Sequence, residues 1–169
     1  MEHQATELLV ATASDATPVV DLPIYDMLRL IRQDLDMDVV FVAEFIDGQR
    51  VFRQVEQRPG EPIVEEGQMH SQEDSLCQRV IEGRLPRVMH DVASLVEAHG
   101  LPSYASGLGA HISAPVRLRD GHVYGTLCCF SLTPNYALGE RDVRRLEMAA
   151  HIVGRLIDEA RGHEAPLPE

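Results

Sequence analysis

The chain is predicted to form an α+β domain, a central antiparallel sheet with helices packed against it, and three observations carry that expectation. Two runs rich in apolar residues are hinged on Asp-Gly pairs, at Asp47-Gly48 and Asp120-Gly121, and Asp-Gly readily supplies the positive φ angles of a tight hairpin turn. Segments with apolar residues at helical spacing stand before, between and after these hairpins, which places helices beside an antiparallel sheet and not inside a parallel one. No repeat of 20 to 50 residues is visible, so solenoids and propellers are excluded.

In chain order, residues 1–20 are rich in Ala, Thr and acidic side chains and read as a flexible N-terminal tail or linker. Asp21 caps a helix with Pro23 in its first turn, and Ile24, Met27, Leu28, Ile31 and Leu35 form its apolar stripe. Val39 to Ile46 is almost continuously apolar; Asp47-Gly48 then turns the chain into the mixed strand Gln49 to Glu56. Pro59, Gly60 and Pro62 break that strand, and Ile63 to Met69 is a further short extended piece. Ser71 to Asp74 reads as a variant capping box opening a helix with Leu76, Cys77, Val80 and Ile81 on one face and Gly83 at its stop. Arg87 to His90 is a short strand, Asp91 caps a short helix ended by Gly100, and Leu101 to Gly109 is a loop. Val143, Leu146, Ala150, Val153 and Ile157 form the stripe of a last helix from about Glu140 to Ala160, whose acidic start suits the helix dipole.

Composition bounds the function. The 169 residues, 44% hydrophobic, suffice for one globular core with tails. Fifteen Lys+Arg against 27 Asp+Glu give a formal charge of −12, which repels phosphate backbones and anionic headgroups. Nucleic acid and membrane are therefore not expected as partners, and Arg84, Arg87, Arg117 and Arg119 read as solvated strand ends. Three cysteines, Cys77, Cys128 and Cys129, lack disulfide spacing and fit a reducing, cytoplasmic setting. No signal-peptide pattern and no apolar run of membrane-spanning length occurs.

The second hairpin is the most informative stretch. A turn on Asp120-Gly121 sets Leu118 opposite Val123, Val116 opposite Gly125, Ala114 opposite Leu127 and Ile112 opposite Cys129, a wholly apolar face. The other face carries His111, Ser113, Pro115, Arg117, Tyr124, Thr126, Cys128 and Phe130. One side thus suits a core, the other a pocket.

Three segments together resemble a GAF domain, a small sensory module of signalling proteins: SLCQRVIEGRLPRVMHD (75–91), HISAPVRLRDGHVYGTLCCFS (111–131) and PNYALGERDVRRLEMAAHIVGRLI (134–157). The similarity spans 21–161, leaving 162–169 as a C-terminal linker. It implies an antiparallel sheet of about six strands, terminal helices on one face and a ligand cavity on the other. It further implies binding of a small molecule, or dimerisation, that regulates an output domain such as a second-messenger enzyme or histidine kinase of a bacterial signalling protein.

The expected ligand-binding residues are His90, Asp91, Tyr104, His111, Ser113, Tyr124, Thr126 and Cys128, on the mixed face and the segments covering it. Leu22, Leu30, Ile152 and Leu156 fall off or beside the helical stripes and are the expected homodimer contacts. No catalytic residue and no metal-ligand set is assigned, and the cofactor stays unknown. His70, His90, His99, His111 and His122 have no zinc-like spacing with cysteine. The chromophore cysteine of bilin-binding relatives is normally followed by His, where Gln78 follows Cys77. The Asn-Lys, Phe and Asp-Glu signature of cyclic-nucleotide binders is not found. Two alternatives stay open: a structural dimerisation module with a vestigial pocket, and a free methionine sulfoxide reductase. The second would need Cys77 and Cys128 as its thiol pair and lacks that branch's cysteine-bearing loop motif in 101–111.

Overall fold

The computed structural model describes residues 18–164. The elements are α1 (Pro18–Leu35), β1 (Val39–Ile46), β2 (Gln49–Gln57), β3 (Met69–Ser71), α2 (Leu76–Ile81), β4 (Val88–Met89), a 3-10 turn (Val92–Leu95) running into α3 (Val96–His99), a 3-10 turn (Ser103–Gly107), β5 (His111–Arg117), β6 (Val123–Phe130) and α4 (Glu140–Glu164). Six strands form one antiparallel sheet in the order β3-β2-β1-β6-β5-β4. Of the expected tail over 1–20 and linker over 162–169, residues 1–17 and 165–169 lie outside the described residues, while 18–20 and 162–164 belong to the first and last helices.

Local chemistry explains most boundaries and corrects several expectations. Helix α1 begins at Pro18, so Asp21 sits in its first turn and accepts from Gln54 Nε2 at 2.7 Å instead of capping. Ser75, not Ser71, is the cap of α2: its Oγ accepts from Gln78 N at 3.1 Å, while Ser71 ends β3. Gly100 closes α3 in the left-handed region at φ 59°. Asp47 and Gly48 both have positive φ, 52° and 74°, as a type I′ turn requires.

The β5–β6 turn differs. Gly121 (φ 88°) is left-handed but Asp120 is not; Gly121 N donates to Leu118 O and Leu118 N to His122 O, both at 2.9 Å. This is a three-residue loop closed by a left-handed glycine, which sets Leu118 against His122 and not Val123. A bulge at Tyr124 absorbs the extra residue and restores the expected register from Val116↔Gly125 through Ala114↔Leu127 to Ile112↔Cys129.

The sheet separates two packed layers. On one face, α1 supplies Ile24 and Leu28 and α4 supplies Val143, Leu146, Ala150, Val153 and Ile157, packed on Val40, Val42, Ile112, Ala114, Val116, Leu127 and Cys129. Helix α4 reaches the sheet closely because Gly154 has no side chain: a Cβ there would lie 2.3 Å from Arg117 O. On the other face, Phe41, Phe52, Phe130, Cys77 and Cys128 form an aromatic-rich cluster, with Phe41 and Phe52 edge to face at 4.5 Å. A third cluster joins Leu76, Val80 and Leu85 to Met89, Val92 and Leu101 and fixes the covering segments.

Of the expected dimer contacts, Leu22 (69% exposed), Leu30 (67%) and Ile152 (47%) stand on the helical surface. Leu156 is half-buried against its own core. Among the described residues no helix is long and apolar enough to cross a membrane.

Candidate functional site

The face of the sheet turned away from α1 and α4 carries a cavity of about 460 Å³. Phe41 of β1, Phe52 of β2 and Phe130 of β6 make its apolar walls; Ile63, Val64, Leu76 and Leu108 from the covering segments close over them. The proportions, an apolar shell around a few polar groups, are those of small-molecule sites. Tyr104 stands at its rim, with its hydroxyl donating to Asp74 O at 3.1 Å.

Arg50 and His111 are two of the polar side chains that line the cavity, with Gln68, His70, Asp74 and Ser75. Arg50 shares a face of β2 with Phe52 because strand side chains alternate. Its guanidinium lies over the Phe52 ring at 4.9 Å and reaches His70 Nδ1 at 3.3 Å, yet its Nε has no hydrogen-bond partner among the described residues. Burial, and then the charge of Arg50, lower the pKa of His70. His111, at the start of β5, is 2% exposed, and its Nδ1 likewise lacks a partner among the described residues.

Beside the cavity floor, Cys77 of α2, His111 of β5 and Cys128 of β6 converge: one ligand atom from each lies within 4.8 Å of the others. His111 Nε2 is 3.2 Å from Cys128 Sγ. All three cysteines are free thiols. Hydrogen bonding from Cys128 holds the Cys77 thiol well below its ordinary pKa, outweighing its burial, with His111 and Arg50 assisting. Burial and the adjacent Cys77 push Cys128 well above it. Cys129 points to the opposite face, where burial alone raises its pKa.

Among the expected ligand residues, Tyr104, His111 and Cys128 line this cavity. Ser113 is buried and opens instead on a second cleft of about 350 Å³, near Arg87 and Arg117. Thr126 is fully buried, with its hydroxyl unpartnered among the described residues. His90 is exposed, its Nε2 at 2.8 Å from Leu138 O and its ring beside Tyr136. Asp91 stands before the 3-10 turn without capping it through its side chain.

Tyr124 is on the wrong side for the cavity. The bulge turns it into the helical core, under Arg161 of α4 at 5.2 Å, and burial there raises its pKa to about 12. The residues that sequence reasoning missed are Arg50, Phe41 and Phe52; the available signal was an arginine sharing a strand face with phenylalanine.

The fold is that of several sensory and enzymatic domains. The chromophore-binding domain of the bacteriophytochrome RpBphP3 from R. palustris superposes with a TM-score of 0.68 at 14% identity, over 96% of this chain and 62% of that one. This chain thus spans less than two thirds of that domain. The blue-light absorbing form of the Thermosynechococcus elongatus PixJ GAF domain gives 0.60 at 16% identity, over 88% and 94%. The type II free methionine-R-sulfoxide reductase from Thermoplasma acidophilum gives 0.64 at 15% identity, over 83% and 93%. No curated protein sequence matches significantly. The profile of the GAF domain matches residues 26–158, and with the six-stranded sheet and its two helical layers in place, the chain belongs to the GAF domain family.

Proposed function

We propose that this GAF domain is a sensory module, regulatory and not catalytic, in which a small molecule held in the cavity biases the seating of α4 and so regulates an output domain of a bacterial signalling protein. The observation that supports this reading is the pairing of an apolar cavity with Arg50 Nε and His111 Nδ1, two buried nitrogens without partners among the described residues. Buried polar groups are nearly always satisfied, so an orphaned pair on a cavity wall points to a ligand with an apolar body and a polar end, its acceptor group, such as a carboxylate, facing the Arg50 N–H. The route outward is short. His111 and Cys128 face the cavity, while their strand neighbours Ile112, Leu127 and Cys129 lie in the core under α4. A ligand signals only by binding one seating of α4 better than another.

Native mass spectrometry of freshly purified protein, with an absorption spectrum, reads any bound molecule. A thermal-shift screen of metabolites then compares wild type with Arg50→Met and His111→Gln. Stabilisation that persists undiminished in both variants refutes the site. Self-association belongs to the same reading: exposed Leu30 and Ile152 are the surface by which two copies pair. Leu30→Glu or Ile152→Glu should halve the mass seen by light scattering, and an unchanged dimer mass counts against that surface.

The adjacency of Cys77 and Cys128 favours one second reading, reduction of free methionine sulfoxide. In that reaction the two thiols become a disulfide while the sulfoxide becomes methionine and water. Incubation with free methionine sulfoxide and a thiol reductant decides it: no methionine above the level of Cys77→Ser excludes the enzyme.

A further inference from the structure

We propose that Cys77, His111 and Cys128 form a zinc site with three protein ligands and a fourth coordination position turned toward the cavity. The geometry is close to that of a formed site. With zinc–sulfur bonds of about 2.3 Å and zinc–nitrogen bonds of about 2.0–2.1 Å, tetrahedral ligands stand roughly 3.6–3.8 Å apart. Here the three donor atoms lie within 4.8 Å of one another, and the sulfur–nitrogen pair is at 3.2 Å, so each side chain needs to shift by only about an ångström. Two thiolates and one imidazole are the soft, mixed donor set that suits zinc.

The scaffold holds these donors in place. His111 and Cys128 are diagonal neighbours on paired strands, in the register His111↔Phe130 and Ser113↔Cys128, so their side chains leave the same face. Cys77 lies in the first turn of α2, which is anchored by the Ser75 cap. All three are buried, and the charge is matched: two thiolates cancel a dication, where an uncompensated ion would be costly in such surroundings. His111 and Cys128 also line the cavity, so the remaining coordination position opens on it.

The site does not rest on the sensory reading, because metal uptake is measured without any small molecule. The whole chain, reduced, stripped of metal and kept anaerobic, is titrated with Co²⁺ as the spectroscopic probe and then with Zn²⁺ as competitor. One equivalent of Co²⁺ should give thiolate-to-metal charge-transfer absorption and the intensified d–d bands of tetrahedral coordination, both abolished by one equivalent of Zn²⁺. Cys77→Ser, Cys128→Ser and His111→Gln should each lose or strongly weaken the spectrum, whereas Cys129→Ala, altered on the opposite face, should keep it. Circular dichroism checks that each variant is folded. Should a ligand variant not fold, X-ray absorption on the zinc-loaded wild type replaces it and must show two sulfurs and an imidazole nitrogen. No stoichiometric uptake, a spectrum surviving in folded Cys77→Ser and Cys128→Ser, or a shell without sulfur overturns the proposal.

Discussion

Substituting Gly154 by alanine sets two physical arguments against each other. Helix propensity alone favours alanine by about 1 kcal/mol in a helix interior. The structure reverses that sign. A Cβ at Gly154 would meet Arg117 O at 2.3 Å, with Val116 Cγ1 at 3.7 Å behind it. The obstacle is a backbone carbonyl in a strand, unable to step aside as a side-chain tip can, so α4 must withdraw by about 1 Å to restore ordinary contact. A gap of that size forfeits roughly a quarter to a half of each dispersion contact along the seam. The side chains beside it, Ala150, Val153 and Ile157, are buried. Overpacking of this kind costs about 1–3 kcal/mol, and a rigid obstacle places it near the upper end, about 3. Subtracting the propensity gain leaves a net loss of about 2 kcal/mol. For a domain of this length that lowers Tm by roughly 4–8 °C. Calorimetry on wild type and Gly154→Ala measures it directly. An unchanged or raised Tm would show that α4 is not seated on β5 as described, and the route from cavity to helix would fall with it.

Two further outcomes are expected. Tyr124, with its pKa raised by burial to about 12 from an ordinary value near 10, keeps its proton in the folded state when the unfolded chain has begun to lose it. Its contribution is therefore complete below pH 10 and lost between about pH 10 and 12, at up to about 1.4 kcal/mol per pH unit. Denaturant titrations of Tyr124→Phe should fall less steeply with pH across that window than wild type; parallel curves would contradict the burial. Gly48→Ala places a Cβ on a residue at φ 74° with open space around it, so backbone strain alone should cost about 1–2 kcal/mol, or a Tm lower by roughly 2–8 °C; an unchanged Tm would mean that the turn is not type I′.

How far the sequence spoke depended on the range of the interaction. Alternation along β5 and β6 correctly separated Ile112, Ala114, Leu127 and Cys129 from His111 and Cys128, because strand periodicity is a local property. The helical stripes of α1 and α4 were legible for the same reason. Tyr124 was misplaced because Asp120-Gly121 admits both a two-residue and a three-residue loop, and one extra residue at the tip needs a bulge to restore the register. The cap of α2 was misread because Ser71 and Ser75 both precede a helical pattern, and the pairing of β3 with β2 claimed the first. The cavity floor was the least legible part. Cys77, His111 and Cys128 come from three separated segments, and no spacing rule connects them before the sheet is assembled. Arg50 was overlooked since an arginine in a mixed strand ordinarily points to solvent.

The sheet ends in a stub on each side. Strand β3 has three residues and β4 only two, so the outermost strands offer another chain only short rows of amide and carbonyl groups. Very short border strands are one of the devices by which a sheet resists lateral extension toward a fibre. In a chain with two long central hairpins and an almost continuously apolar β1, the brevity of those border strands works against edge-to-edge pairing of one copy with the next.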